Sequence, residues 1–567
     1  VERTWLANYP KDVPEQIDAS RYESLTAFLQ EKFDGFPDKP AFSNFGHAIT
    51  YRELERESAA FGAFLRNEFG LPRGERVALI LPNVLQYPVA LFGILRSGLV
   101  AVNFNPLYTS REIHHQLEDS GARVAIVLEN FAHTLEQALP GTAVEHVIVT
   151  GVGDLIPGLR GKILNFGARH LKRMVPAWDI PAARAFGNCL ELGRSHDLPA
   201  ESLTRDDLAF LQYTGGTTGV AKGAELTHGN MLANLLQASA WMGELMQPGE
   251  EQIITALPLY HIFSLTANCL LMMNFGGENV LITNPRDIPG FVKTLRKTSF
   301  SAITGVNTLF NALLHDDDFA RVDFSRLKLT LGGGMAVQRA VAEEWKRVTG
   351  VPLLEAYGLT ETSPAVTINP LNLEDYNGSI GLPIPSTEIS IRDDAGNEVA
   401  AGEPGELCVR GPQVMRGYWN RPGETANAFT EDGFLRTGDV ARVDERGYVY
   451  LVDRKKDMID VSGFNVYPNE VEDVVAGMPG VLEVAAVGMP DEHSTEAVKL
   501  YVVRRDASLT QQQIQEYCHE NLAGYKRPRQ IEFRDELPKS NVGKILRKEL
   551  REDARAQFEQ THHAASR

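Results

Sequence analysis

The run Tyr213-Thr214-Gly215-Gly216-Thr217-Thr218-Gly219-Val220-Ala221-Lys222-Gly223 is the most informative stretch of the chain. Three glycines, three threonines and a lysine lie between Thr214 and Lys222. Glycines let successive backbone N–H groups converge on an anion, while hydroxyls and an ammonium add donors. A polar surface turn draws on some of the same residues. The density of small, hydroxyl and cationic positions here reads instead as a phosphate cradle. It is not a Walker A loop, because Ala221 precedes Lys222 and Gly223 follows it where that motif needs Gly, Lys and Ser or Thr in succession.

Outward from this loop, several βα-like units can be read in the first 450 residues. Arg76 to Leu81 is a short apolar run closed by Pro82-Asn83, followed by a helix around Tyr87 to Leu95. Arg123 to Leu128 and Val144 to Val149 are further strand candidates, and Leu327 to Leu331 runs into Gly332-Gly333-Gly334. Strands alternating with helices predict parallel sheets covered by helices. Ile253 to Gly277 carries no Lys, Arg, Asp or Glu, but Pro258, His261, Asn268 and Asn274 interrupt it. A membrane span wants about 20 predominantly apolar residues, so a buried helix is expected here.

Beyond Ile380 the pattern changes. Glu388 to Arg392 and Glu406 to Arg410, with the turn Asp394-Ala395-Gly396-Asn397 between them, predict a small β subdomain. The charged run Asp453-Arg454-Lys455-Lys456-Asp457 reads as a linker. After it, helices over Tyr467 to Val475 and Leu509 to Asn521 and strands over Val481 to Gly488 and Lys499 to Val503 predict a compact α+β unit. The last residues, from Glu552, read as a polar, frayed tail.

With 567 residues, 43% of them hydrophobic and 23% charged, the chain is globular and too long for one core. Its net charge of −18 argues against a general nucleic-acid binder. The four cysteines, Cys189, Cys269, Cys408 and Cys518, form no CxxC pair, so neither a disulfide framework nor a structural zinc site is expected. Val1 to Tyr9 lacks a long apolar core, and a reduced, cytoplasmic location is expected.

Three further clusters narrow the chemistry. Tyr357-Gly358-Leu359-Thr360-Glu361 joins an aromatic face, small polar positions and a carboxylate. Thr437-Gly438-Asp439 offers a carboxylate on a turn, suited to vicinal hydroxyls. Lys539-Ser540-Asn541-Val542-Gly543-Lys544 offers a cation on a glycine turn. Their order and spacing, together with Asp432 to Lys456 (DGFLRTGDVARVDERGYVYLVDRKK) and Asp457 to Val475 (DMIDVSGFNVYPNEVEDVV), resemble the adenylate-forming (ANL) superfamily. Within it the chain is most similar to the bacterial fatty acyl-CoA synthetases that act on long chains, over nearly its whole length.

The resemblance implies an α/β fold with a large N-terminal domain, residues 1–453, of helix-covered parallel sheets plus a small β subdomain. A small mobile α+β lid, residues 454–567, would follow, with its hinge near Lys456. The implied reaction has two steps. A fatty acid attacks ATP to give acyl-adenylate and pyrophosphate, and the CoA thiol then displaces AMP. Magnesium would screen the approach of two anions. By the same resemblance, Thr214, Gly215, Gly216, Thr217, Thr218, Gly219 and Lys222 would hold the β- and γ-phosphates, and Thr214 and Glu361 the metal. Tyr357, beside Gly358 and Thr360, would lie against adenine, with Gly332, Gly333 and Gly334 as the purine-slot wall. Asp439 would bind the ribose hydroxyls, assisted by Arg454. Lys544 would reach the carboxylate and α-phosphate during adenylation only, His261 of Pro258-Leu259-Tyr260-His261 would sit near the acyl carboxylate, and Gly463, Phe464 and Asn465 would face CoA.

Ile262 to Met273 and Gly305 to Leu314 are candidate acyl-tunnel walls. A tunnel of this kind accepts a range of lengths with graded preference, so chain length stays open. Also open are a ligase for another carboxylate, a carrier-protein acceptor, and a lipid-binding protein with a degenerate nucleotide site. Residues 161–175, GKILNFGARHLKRMV, predict a basic amphipathic helix with Lys162, Arg169, Lys172 and Arg173 opposite an apolar side. It either docks on the core or meets an anionic membrane surface, which would place the protein peripherally on the inner face of the membrane. A homodimer is left open.

Overall fold

The computed structural model describes residues 3–214, 221–462, 464–491 and 494–565. Among them lie four sheets. A seven-stranded sheet is built on Arg76–Ile80, Val100–Asn103, Val124–Leu128 and His146–Thr150, all paired in parallel. Strands such as VAIVL at Val124–Leu128 are buried throughout, as expected where helices cover both faces. One edge of this sheet is Leu208–Thr214 paired antiparallel with Lys222–Thr227, so the glycine-rich loop begins and ends on partnered strands.

The nine-stranded sheet has a parallel centre that includes Gln252–Thr255, Ala302–Gly305, Leu329–Gly333 and Leu353–Gly358. A single core joins these two sheets through the helices Tyr51–Asn67, Gln86–Arg96 and His228–Met242. The last of these starts where it does because Thr227 and Asn230 cap each other. Thr227 Oγ1 accepts from the Asn230 N–H at 3.1 Å and Asn230 Oδ1 accepts from the Thr227 N–H at 3.0 Å.

Glu388–Arg392, Gly405–Arg410, Leu435–Val443 and Val449–Arg454 make the expected small antiparallel β unit. The C-terminal part is a five-stranded sheet with its own core, in which Ile459, Val471, Leu500 and Ile514 are buried.

The Ile253 to Gly277 stretch is buried, and no helix among the described residues is long and apolar enough to cross a membrane. Its helical run, Ile262–Ser264, Leu265–Leu270 and Leu271–Asn274, widens to a π-helix in the middle.

Two local expectations need correction. The tail from Glu552 is helical, within Arg547–Ala565, because Leu550 and Ala554 bury against the C-terminal sheet. The helix expected over 161–175 runs instead over Gly158–Phe166 and continues as a π-helix over Gly167–Leu171. Its apolar side is only partly buried: Leu164 packs against the main core, whereas Leu159, Ile163, Phe166, Leu171 and Met174 are all more than half exposed, at 71%, 59%, 56%, 76% and 52%. Arg169 turns inward to pair with the buried Glu129 at 2.8 Å.

Candidate active site

Strand ends from both large sheets, the β unit and the C-terminal part converge on one cleft of about 1720 Å³. A pocket for one small ligand is typically about 300–1,000 Å³, so this cleft has room for two substrates together. Gly215, Gly216, Thr217, Thr218 and Gly219 lie outside the described residues, as does Gly463. The ends of the glycine-rich loop do not: Thr214 and Lys222 are direct cross-strand partners, and both line the cleft.

Lys222 Nζ is ion-paired with Glu424 and lies 5.0 Å from the centre of the Tyr418 ring. Tyr418 in turn donates its hydroxyl to Glu361 Oε1 at 2.8 Å. Neither Tyr418 nor Glu424 is apparent as a site residue in the sequence, because each becomes one only through a loop that returns about 200 positions later. Glu361 sits on the short 3-10 turn Thr360–Thr362 after the strand Leu353–Gly358. The donor set fits magnesium: a hydroxyl at Thr214 and a carboxylate at Glu361 are hard oxygen ligands. No cluster of three or more His, Cys, Asp or Glu that would form an all-protein cage exists among the described residues. Magnesium bound through one carboxylate and substrate phosphates needs no such cage.

On the same strand as Gly358, the Tyr357 hydroxyl donates to Asp439 Oδ2 at 2.5 Å. Burial, reinforced by Asp439, holds that phenol far above its ordinary range, so it stays a donor. Asp439 and Arg454 are register partners on adjacent strands, with Arg454 Nε 3.1 Å from Asp439 Oδ1. Tyr357, Asp439 and Arg454 thus form one connected polar wall. Gly333, Gly334, Gly358 and Thr360 line the cleft beside it, whereas Gly332 is packed between Leu353 and Val337. Nearby, burial pushes Glu355 up to about 8, and it accepts the Val337 N–H at 3.1 Å.

Lys544 enters this cleft from the C-terminal part. Its Cε lies 3.2 Å from where a Cβ on Gly334 would stand, and Gly334 has φ +79, so a side chain there would be strained and would crowd the lysine. Burial, followed by the nearby Arg454, pulls the Lys544 ammonium down to about 8. His261 precedes the helical run Ile262–Ser264, where its Nδ1 accepts the Phe263 N–H at 3.3 Å. Burial, followed by the charge of Lys544, pulls it down to about 3, so it is a neutral imidazole.

An apolar section of the cleft is lined by Ala238 and Met242 from the helix His228–Met242, by Phe263, Ala267 and Leu271, and by Ile368. Ala267 falls in the π-helical turn, a feature frequent at functional sites. Met272 and Met273 are core residues. The second expected tunnel wall behaves differently. The helix Asn307–Leu314 faces the cleft with Asn307, Thr308 and Asn311, while Phe310 and Leu313 bury in a separate core. Lys456 lines the cleft, and Arg551 donates to its carbonyl at 3.2 Å. Phe464 and Asn465 do not line it; Phe464 is 58% exposed and stacks on Tyr525 at 5.0 Å.

With this geometry in place, comparison with known proteins identifies the class. The chain belongs to the AMP-binding enzyme family, whose model matches residues 29–419, and the AMP-binding enzyme C-terminal domain matches residues 470–544. It is 57% identical over 559 residues to the long-chain-fatty-acid–CoA ligase of Escherichia coli O157:H7, covering 99% of this chain and 100% of that protein. Among solved structures it is similar to the anthranilate CoA ligase AuaEII in complex with anthranoyl-AMP, at a TM-score of 0.83 and 27% identity over 96% of this chain and 100% of that one. It is also similar to ATP-bound MatB from Rhodopseudomonas palustris, at 0.79 and 28% over 93% and 98%.

Proposed function

We propose that this chain is an ATP-dependent long-chain-fatty-acid–CoA ligase. It converts a fatty acid to acyl-adenylate with release of pyrophosphate, then transfers the acyl group to the CoA thiol with release of AMP. The observation that carries this reading is the convergence of Lys544, the Tyr357–Asp439–Arg454 wall and an apolar section in one cleft.

The first step brings a carboxylate onto a triphosphate, so fixed cations and donors must offset the repulsion. Lys544 supplies charge where the carboxylate and α-phosphate meet. Lys222, together with the glycine-rich loop, takes the β- and γ-phosphates once it leaves Glu424. Asp439 accepts from the ribose hydroxyls while Tyr357 and Arg454 hold it in place, and the Tyr357 ring packs against adenine between Gly334 and Thr360. Thr214 and Glu361 would hold magnesium, which supplies Lewis-acid charge to the phosphate oxygens. His261, neutral, orients the acyl carboxylate without acting as a base, since that group is already ionised at neutral pH. We place the domain boundary between residues 453 and 454 with the hinge at Lys456. Phe464 and Asn465, outside the cleft in the present orientation, would reach the CoA path after rotation of the lid. AMP release with ATP, magnesium and CoA, measured from butanoate to octadecanoate, tests the reaction. Activity that rises toward long acids and needs CoA for turnover supports it. Pyrophosphate exchange without CoA-dependent turnover would point to a carrier protein as acceptor.

We also propose that the segment from Leu159 to Met174 rests on an anionic membrane surface. Its support is the exposed apolar row beside Lys162, Lys172 and Arg173, which make no ion pair among the described residues. Each such cation is worth about 1 kcal/mol near anionic lipid. Binding should therefore be reversible and weakened by salt. Cosedimentation with anionic vesicles, lost in Phe166→Ser/Leu171→Ser, tests it. Self-association abolished by the same variant, without vesicle binding, would make this face a homodimer contact instead.

A further inference from the structure

The helix Asn307–Leu314 presents two polar side chains to the C-terminal part. Thr308 Oγ1 donates to the Gly543 carbonyl at 2.8 Å, and Asn311 Nδ2 donates to the Leu482 carbonyl at 3.0 Å. Residues three apart on a helix share a face. The opposite face is locked: Phe310 is fully buried with its ring 4.8 Å from that of Trp345. The first turn is pinned as well, since Asn307 Nδ2 donates to Gln338 Oε1 at 3.1 Å and Asn307 Oδ1 accepts the Gln338 N–H at 3.0 Å. This helix is therefore a rigid reference surface.

The receiving turn is equally constrained. Gly543 has φ +84, and a Cβ on it would stand 2.9 Å from Thr308 Oγ1 and 3.1 Å from Val306. The hydroxyl reaches the carbonyl because no side chain intervenes. Within the turn, the Gly543 N–H donates to the Ser540 carbonyl at 2.9 Å, the Lys544 N–H to Ser540 Oγ at 3.1 Å, and the Ser540 N–H to the Lys544 carbonyl at 2.7 Å. Lys544 follows Gly543 directly, so a shift of that carbonyl carries the lysine with it.

We propose that Thr308 is a positioning residue for the adenylate-forming step, its hydroxyl fixing the Gly543 carbonyl and so holding Lys544 at the cleft. Asn311 is a second pin on the same helix face. The proposal rests on the reading of Lys544 as the cation of that step. Only the lid orientation that brings Lys544 into the cleft uses this bond, so the second step should not depend on it.

The test compares Thr308→Val, which keeps the shape and removes the hydroxyl, with Thr308→Ser, which keeps the hydroxyl. Pyrophosphate exchange reports adenylation, and single-turnover CoA transfer from supplied acyl-adenylate reports the second step. Thr308→Val should slow exchange about threefold to tenfold, the weight of one hydrogen bond. It should leave acyl transfer unchanged, and Thr308→Ser should recover most of the loss. Combined with Lys544→Ala, Thr308→Val should add nothing further, because the two act as a unit. Equal slowing of both steps, or full additivity with Lys544→Ala, overturns the proposal. If Lys544→Ala itself spares exchange, the reading of Lys544 has failed. If Lys544→Ala cripples exchange and Thr308→Val does not, only the positioning role has failed. Should Thr308→Val fold poorly, Asn311→Ala and Gly543→Ala probe the same contact from its other ends, with the same split between steps expected.

Discussion

The ammonium of Lys222 is ion-paired with Glu424, 202 positions further along the chain. Lys222 is also the cation at the exit of the glycine-rich loop, and on the proposed reading this pair occupies the group that a nucleotide's phosphates would need. Glu424 is 49% exposed as a side chain, so water screens the pair and its contribution is small. Glu424→Gln should therefore lower the KM for ATP by roughly 1.5- to fivefold with kcat nearly unchanged. A raised KM would mean that Glu424 aids nucleotide binding rather than competing with it.

If Lys544 is the cation of the adenylation step, as proposed, it sets an upper pH limit on that step. Burial lowers its ammonium to about 8, and the charged form is the useful one, so activity falls as pH rises through that value. In pyrophosphate exchange, kcat/KM for ATP should decline above about pH 8. Once the triphosphate is bound its charge favours the ammonium, so the limb in kcat should lie higher. Lys544→Arg keeps its charge throughout this range and should remove the limb, although it lowers the rate by altering reach. A limb unmoved in Lys544→Arg would assign it to another group.

Asp439 accepts from Tyr357 and pairs with Arg454. If its carboxylate also takes the ribose hydroxyls, Asp439→Ala should raise the KM for ATP roughly tenfold to hundredfold, as expected for hydrogen bonds to a charged group. Tyr357→Phe removes one donor and keeps the ring, so its effect should be several times smaller. Similar losses in the two variants would show that Asp439 matters through the wall rather than through the nucleotide.

Ala238 lines the apolar section one helical turn before Met242. Ala238→Phe would fill that space. Each buried methylene is worth about 0.8 kcal/mol, so the variant should cut kcat/KM for octadecanoate at least tenfold while largely sparing octanoate. Uniform loss across chain lengths would place the acyl tail elsewhere in the cleft.

Much of the fold was legible from local pattern. The apolar runs at Arg76, Arg123, Val144 and Leu327 are strands, and the shift to short β segments after Ile380 is a separate antiparallel sheet. Such runs are readable because a strand buried on both faces must be apolar at nearly every position. The segment over 161–175 shows the limit of the same reasoning. Its apolar side was legible, but periodicity says only that one face differs from the other, not that a core exists to receive it. The Gly305 to Leu314 stretch shows the converse: its apolar residues suggested an acyl wall, yet Phe310 and Leu313 pack into a separate core and leave polar Thr308 and Asn311 toward the cleft.

The sequence by itself determined which chemistry was on offer: the glycine-rich loop reads as an anion cradle from its residue types, because backbone access to an anion is a local requirement, while Tyr357, Glu361, Asp439 and Lys544 were singled out by their order and by resemblance to a family. Tertiary structure alone decided the partnerships, with Lys222 set on Glu424, Tyr418 on Glu361 and Thr308 on Gly543. Each joins residues between 57 and 235 positions apart. A side chain's chemistry is written at its own position, whereas its neighbour depends on how distant loops close over a shared core.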